Sequence, residues 1–146
     1  MPIVQDILAT KGKQVHTISP SITVLEATQR MNQYKIGALL VVVDGGHVAG
    51  IFTERDVLRR VVAVEKAPSE ITVAEAMTAD VICVQPETDL DEVSQIMKEK
   101  RVRHLPVCDS EGKLHGMISI GDVNAFHVSA QEAQIHFLND YIYGRV

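Results

Sequence analysis

Tryptophan is absent from the chain and aromatic residues make up only 4% of its 146 positions, so an aromatic binding platform is not expected. Cysteine is almost absent as well. Cys83 and Cys108 are too few for a disulfide framework. Basic excess is missing: a net charge of −5 and a pI near 5.6 argue against nucleic acid as a partner, because binding phosphates needs a basic face. The longest strongly apolar run, 36–43, falls far short of the roughly 20 residues that span a bilayer. No N-terminal segment joins a basic stretch to an apolar run and a cleavage site. The expected setting is a soluble, reducing compartment, most simply the cytoplasm, with no membrane partner.

Catalytic signatures are missing too. There is no Gly-x-x-x-x-Gly-Lys-Ser/Thr and no Gly-x-Gly-x-x-Gly, so neither P-loop hydrolysis nor Rossmann hydride transfer has support. The six histidines show no ligand spacing, and the cysteines lie 25 residues apart, so no metal site is expected. Ser119, His104 and Asp122 supply the residue types of a hydrolase triad. A nucleophile elbow, however, needs Gly-x-Ser-x-Gly, and position 117 is Met. The chain reads as a binder, without catalytic residues or a catalytic cofactor.

What it does have is aliphatic bulk and a duplication. Hydrophobic residues make up 46% of the chain, and a protein of this length buries roughly 68–70% of its unfolded surface. The stretch Gly50-Ile51-Phe52-Thr53-Glu54-Arg55-Asp56-Val57 returns 66 residues later as Gly116-Met117-Ile118-Ser119-Ile120-Gly121-Asp122-Val123. Glycine, hydroxyl, aspartate and valine stand in register.

The rest of the chain follows the same duplication. Short amphipathic lead-ins, with Val4, Ile7 and Leu8 and then Val73, Ala76 and Met77, precede strands at 15–18 and 81–84 that stop at Pro20 and Pro86. Thr23-Val-Leu-Glu26 and Asp89-Leu-Asp-Glu92 cap amphipathic helices. Runs at 36–43 and 102–108 turn through Asp44-Gly45-Gly46 and through 109–113, with Gly112, into second strands, giving hairpins. A helix with Val57, Leu58, Val61 and Val62 ends before Ala67-Pro68-Ser69, the boundary between repeats. An apolar rhythm through Val123, Phe126, Ala130, Ala133, Phe137 and Tyr141 predicts a long C-terminal helix, with a possible break at Ser129-Ala-Gln-Glu132. The expected division is 1–68, 69–128 and a helical extension at 129–146, in an α/β fold of two pseudo-symmetric β-α-β-β-α repeats. One unit of about 60 residues is marginal alone, so the two are expected to pack together.

Each copy closes with Gly-hydrophobic-hydrophobic-Thr/Ser-x-x-Asp after a strand carrying Leu39-Leu40-Val41 or Leu105-Pro106-Val107. This doubled unit resembles the tandem cystathionine-β-synthase (CBS) domain pair, or Bateman module, over nearly the whole chain. Arg101-Val-Arg103-His104-Leu-Pro106-Val, Ser119-Ile-Gly-Asp122 and Phe137-Leu-Asn-Asp-Tyr-Ile-Tyr-Gly144 look like small bacterial and organellar proteins made of little besides this pair. The expectation is therefore a standalone module.

Thr53 with Asp56, and Ser119 with Asp122, have two readings. Either pair is a capping box, in which the hydroxyl accepts a helical N–H and the carboxylate reaches back. Alternatively, the helix N-terminus suits phosphate and the carboxylate accepts hydrogen bonds from a ribose diol. The resemblance implies the second, with adenine nucleotide (AMP, ADP, ATP or NAD) in the cleft between repeats, no catalysis, and regulation of a partner through a homodimer. Carried over by position, it groups Ser119 and Asp122 with Thr17, Ile22, Gly37, Ala38, Arg103 and His104. It groups Thr53, Arg55 and Asp56 with Cys83 and His104.

Arg55 and Arg103 read as phosphate ligands or as surface ion pairs with neighbours such as Glu54. His104 reads as a core histidine or a phosphate donor. The basic clusters Arg59-Arg60 and 98–103 read as solvated faces or a local anion site. The alternative to a nucleotide sensor is a structural homodimerisation module with vestigial clefts. A metal- or nucleic-acid-binding variant has the acidic pI and scattered histidines against it.

Overall fold

The computed structural model describes residues 1–12 and 15–142. Lys13 and Gln14 of the first connector, and residues 143–146 with the end of the C-terminal motif, lie outside the described residues. The two repeats are built alike. Thr23 opens α2 (Val24–Tyr34) by accepting the Glu26 N–H at 3.1 Å, and Asp89 opens α5 (Leu90–Lys100) by accepting the Asp91 N–H at 2.8 Å. Both helices end in a left-handed residue at φ 55°, Lys35 and Arg101, and the N–H groups of Ile36 and Val102 then close on the Met31 and Met97 carbonyls.

In the first repeat, β2 (Ala38–Val43) is flanked by parallel β1 (Thr17–Ile18) and antiparallel β3 (His47–Thr53). In the second, β4 (His104–Cys108) pairs antiparallel with β5 (Leu114–Ser119). The strand expected at 81–84 is reduced to one parallel bridge between Val84 and Val107. The cause is Pro106. Its counterpart Leu40 donates its N–H to the His16 carbonyl at 3.2 Å, extending the ladder along β1, whereas a proline has no N–H to donate.

Each lead-in belongs, by packing, to the other repeat. Val4, Ile7 and Leu8 of α1 (Val4–Lys11) are buried among Val84, Leu90, Val93, Met97, Leu105, Val107, Ile118 and Val123. Val73 and Ala76 of α4 (Val73–Ala76) are buried among Ile18, Val24, Ala27, Met31, Leu39, Val41, Phe52 and Val61. The sequence alone attaches each lead-in to the repeat that follows it. The structure exchanges them through matched hydrogen bonds. Val4 and Gln5 donate to Thr88 and Pro86 at 2.9 Å each, and Leu90 donates to Pro2 at 3.1 Å. Val73 and Ala74 donate to Ile22 and Pro20 at 2.9 and 3.0 Å, and Val24 donates to Ile71 at 3.0 Å. A third apolar cluster, with Ala38, Leu40 and Ile51 against Leu114 and Met117, joins the repeats at the centre.

The helix after β3, α3 (Glu54–Val57), passes directly into a π turn at Leu58–Val62. Its counterpart α6 runs unbroken from Ile120 to Ile142, so the interruption weighed at Ser129 does not occur. The capping types there stay inside a continuous helix.

The repeated glycines mark where the exchanged lead-ins approach. A Cβ on Gly50 would stand 2.6 Å from the Thr78 carbonyl oxygen and 2.8 Å from Met77 Sδ. On Gly116 it would stand 2.9 Å from Leu8 Cδ2, the end of a flexible side chain. Gly50→Ala is therefore expected to lose about 1–3 kcal/mol of stability, in the range of overpacked cores, and Gly116→Ala less. Urea unfolding of the two variants beside the parent measures that order, and equal losses would contradict it.

Candidate functional site

β3 ends at Thr53, whose extended backbone makes it the N-cap of α3. The Asp56 carboxylate reaches back, and its Oδ2 accepts the Thr53 N–H at 2.9 Å and the Thr53 hydroxyl at 3.3 Å. The Asp56 N–H donates to Thr53 Oγ1 at 3.3 Å, so the capping box is complete. The Glu54 N–H is taken by the Gly37 carbonyl at 3.1 Å. Asp56 is the one charged residue buried among those described, 6% exposed. Its second oxygen accepts the Thr78 hydroxyl at 3.1 Å, with Arg60 Nε at 3.8 Å.

Around this carboxylate lies a cavity of about 240 Å³. The first repeat lines it with Gly37, Ile51, the segment from Thr53 to Asp56, Arg59 and Arg60, and the chain after α4 adds Thr78. The second repeat adds Arg101, Val102, Arg103 and His104. Five arginines thus converge on one cavity in an acidic chain. Arg60 donates to the Met77 carbonyl at 2.7 Å. Arg55, Arg59, Arg101 and Arg103 take part in no ion pair among the described residues, which leaves their forked donors available to an anion.

The second copy keeps the frame and changes the charges. Asp122 accepts the Ser119 N–H at 2.9 Å, Ser119 Oγ accepts the Asp122 N–H at 3.0 Å, and the Ile120 N–H is taken by the Arg103 carbonyl at 2.8 Å. Arg55, Arg59 and Arg60 give way at the equivalent positions to Gly121, Ala125 and Phe126. The cation here is Lys11 from the exchanged lead-in, whose Nζ lies 2.7 Å from Asp122 Oδ2 and 2.9 Å from the Met117 carbonyl. Burial alone would raise the Asp122 carboxyl, but the Lys11 and Ser119 hydrogen bonds outweigh it and hold the group below the ordinary aspartate range. A cavity of about 320 Å³ beside it is lined by Ile7, Thr10, Lys11, Ala125, Phe126 and Ser129.

A model of the CBS domain matches residues 4–63 and again 73–127. The chain belongs to the CBS domain family. It is 36% identical over 149 residues to the mitochondrial CBS domain-containing protein CBSX3 of Arabidopsis thaliana, an alignment covering 97% of this chain and 72% of that protein. A solved CBS-domain chain from Burkholderia ambifaria MC40-6 superposes with a TM-score of 0.84 at 44% identity, covering 89% of this chain and 96% of the other. The CBS pair of protein MJ0100, solved with 5′-methylthioadenosine and S-adenosyl-L-methionine, superposes with a TM-score of 0.78 at 25% identity, covering 89% and 98%. The family is thus that of a regulatory module, and one structural relative holds adenosyl ligands. Among the described residues no helix is long and apolar enough to cross a membrane, and no three His, Cys, Asp or Glu side chains gather as a metal-ligand set.

The structure divides the residues singled out in this CBS pair differently from the grouping by resemblance. Thr53, Arg55, Asp56 and His104 share one cavity, and Gly37 and Arg103 line it too. The Gly37 carbonyl holds the Glu54 N–H at the start of α3, and the Arg103 carbonyl holds the Ile120 N–H at the start of α6. Ala38 is buried in the central cluster, Thr17 is exposed on β1, and Ile22 packs in the first core while its carbonyl holds Val73. Cys83 borders a separate cavity beside Cys108, their sulfurs 3.3 Å apart, with the Cys108 thiol pushed up to about 12 by burial and by Cys83. Sequence reasoning did not single out Thr78, Arg101 as a cavity residue, or Lys11. Arg59 and Arg60 did carry a signal, a basic pair three and four positions after Asp56.

His104 opens β4 half-buried, in the field of the Asp122 and Glu54 carboxylates. Burial lowers its pKa; Asp122 and Glu54 oppose that shift, and Lys11 and Arg103 add to it. The imidazole is therefore neutral in the folded chain at pH 7. Below the ordinary value near 6.5 the unfolded chain takes up this proton before the folded one does, so stability is present above that value and is lost on acidification. The melting temperature is expected to fall between about pH 7 and pH 5.5, and His104→Asn should flatten that fall. Thermal unfolding at stepped pH measures both, and an unchanged slope in the variant would remove His104 from the account.

Proposed function

We propose that this CBS pair is a non-catalytic regulatory module that binds an adenine nucleotide (AMP, ADP, ATP or NAD) in the Asp56 cavity. The observation that carries this reading is the joining, across the two repeats, of a buried carboxylate with guanidinium groups that lack ion-pair partners. A ribose diol offers hydrogen-bond donors to a carboxylate, and phosphates match forked guanidinium groups. The adenosyl ligands of the MJ0100 pair support the same ligand class. Arg55 and Arg59 approach from one repeat and Arg101 and Arg103 from the other, so a bound phosphate would draw the repeats together. Ligand binding would favour that disposition and convey it to a partner.

The module acts in this reading as a homodimer. Val128, Ile135, Phe137, Leu138, Tyr141 and Ile142 of α6 are 47% to 74% exposed, and Leu58, Val62 and Val64 add apolar surface after α3. So many exposed apolar side chains on one helix support an interface.

Calorimetric titration with AMP, ATP and NAD tests the ligand. Asp56→Asn is expected to lose roughly 1.5–3 kcal/mol of binding, about 10- to 150-fold in affinity. A parent protein unchanged by millimolar nucleotide would instead leave a structural dimerisation module with vestigial clefts. For assembly, light scattering after gel filtration is expected to give a dimer that Phe137→Asp with Tyr141→Asp converts to monomer. A monomeric parent would end the homodimer reading.

A further inference from the structure

In each half of the duplicated frame a strand carbonyl and the cap aspartate are met together, but by different chemical groups. In the first repeat the Thr78 N–H donates to the Ile51 carbonyl at 2.9 Å, and the Thr78 hydroxyl donates to Asp56 at 3.1 Å. In the second, the acceptors at the equivalent positions are the Met117 carbonyl and Asp122. Both are met by one group, the Lys11 ammonium, at 2.9 and 2.7 Å, and it takes the Asp122 oxygen that also accepts the Ser119 N–H, whereas Thr78 takes the Asp56 oxygen that the cap leaves over. Thr78 follows α4 and Lys11 ends α1, so each comes from the exchanged lead-in. A hydroxyl beside a carboxylate leaves it charged and attractive to donors. An ammonium neutralises it as well as donating to it, here in an ion pair at 2.7 Å.

We infer that Lys11 is a tethered occupant of the Asp122 half-site, holding the carboxylate that a ribose diol would need and restricting the chain to one nucleotide, at Asp56. The inference rests on the nucleotide reading proposed above. The contact is intramolecular, so an incoming diol competes with a ligand at high effective concentration. A neutral diol cannot compensate the ammonium that it would displace. The Asp122 cavity has no arginine in its lining, and Phe126 and Ala125 stand where the first repeat carries Arg60 and Arg59. Once the ammonium is removed, this half-site would take an uncharged adenine nucleoside in preference to a polyphosphate. Lys11 is thus the residue that makes a duplicated pair of sites unequal.

The test is stoichiometry by calorimetry, with AMP and adenosine as probes, on the parent, Lys11→Met, Lys11→Arg and Lys11→Met with Asp122→Asn. The parent is expected to bind one AMP per chain. Lys11→Met should keep that site and gain a second, filled by adenosine, while Lys11→Arg stays at one and the double variant returns to one. The retained AMP site reports that Lys11→Met is folded. Two sites in the parent, or one in Lys11→Met, would overturn the inference while leaving the nucleotide reading intact. No AMP binding in either protein would overturn both.

Discussion

The exchange of lead-in helices is the interaction on which the rest of the molecule depends. Val4, Ile7 and Leu8 fill the second core, and Val73 and Ala76 fill the first, so neither repeat completes its interior with its own lead-in. Matched backbone bonds lock both helices at the start of α2 and α5. The lead-ins lie so close to β3 and β5 that only glycine fits at Gly50, where the Thr78 carbonyl leaves no space for a Cβ. The exchange also delivers Thr78 and Lys11 to the two aspartates, so packing and site chemistry have one origin.

On this symmetric frame a few substitutions set two different charge environments. The Asp56 cavity has arginines from both repeats and a buried carboxylate that accepts three hydrogen bonds. Asp122 has glycine, alanine and phenylalanine nearby and one intramolecular ammonium. Pro106 makes a comparable difference in the sheet, where a missing N–H ends a ladder that Leu40 continues in the first repeat. Duplication thus preserves backbone geometry while single side chains alter what each half can bind.

Features governed by neighbours in sequence were legible in the chain. Thr53 with Asp56 and Ser119 with Asp122 cap their helices as their spacing predicts, because capping is decided within one helical turn. The hairpins and the amphipathic faces of α2 and α5 are local in the same sense. The capping reading did not exclude a ligand role at Asp56, since the oxygen that reaches back to Thr53 leaves the other facing Thr78 and Arg60.

The duplication, the helix order, the two hairpins and the four residues of the two caps follow from the sequence alone, whereas the strand expected at 81–84 shrinks to one bridge in the folded chain. Tertiary structure alone decided which core each lead-in fills, because Leu8 and Met77 are apolar enough for either. It also decided that Gly37 and Arg103 line the Asp56 cavity, and that Lys11 reaches Asp122 across 111 positions of chain. These are contacts between segments distant in sequence, and they depend on how two similar cores share their helices, which local periodicity does not encode.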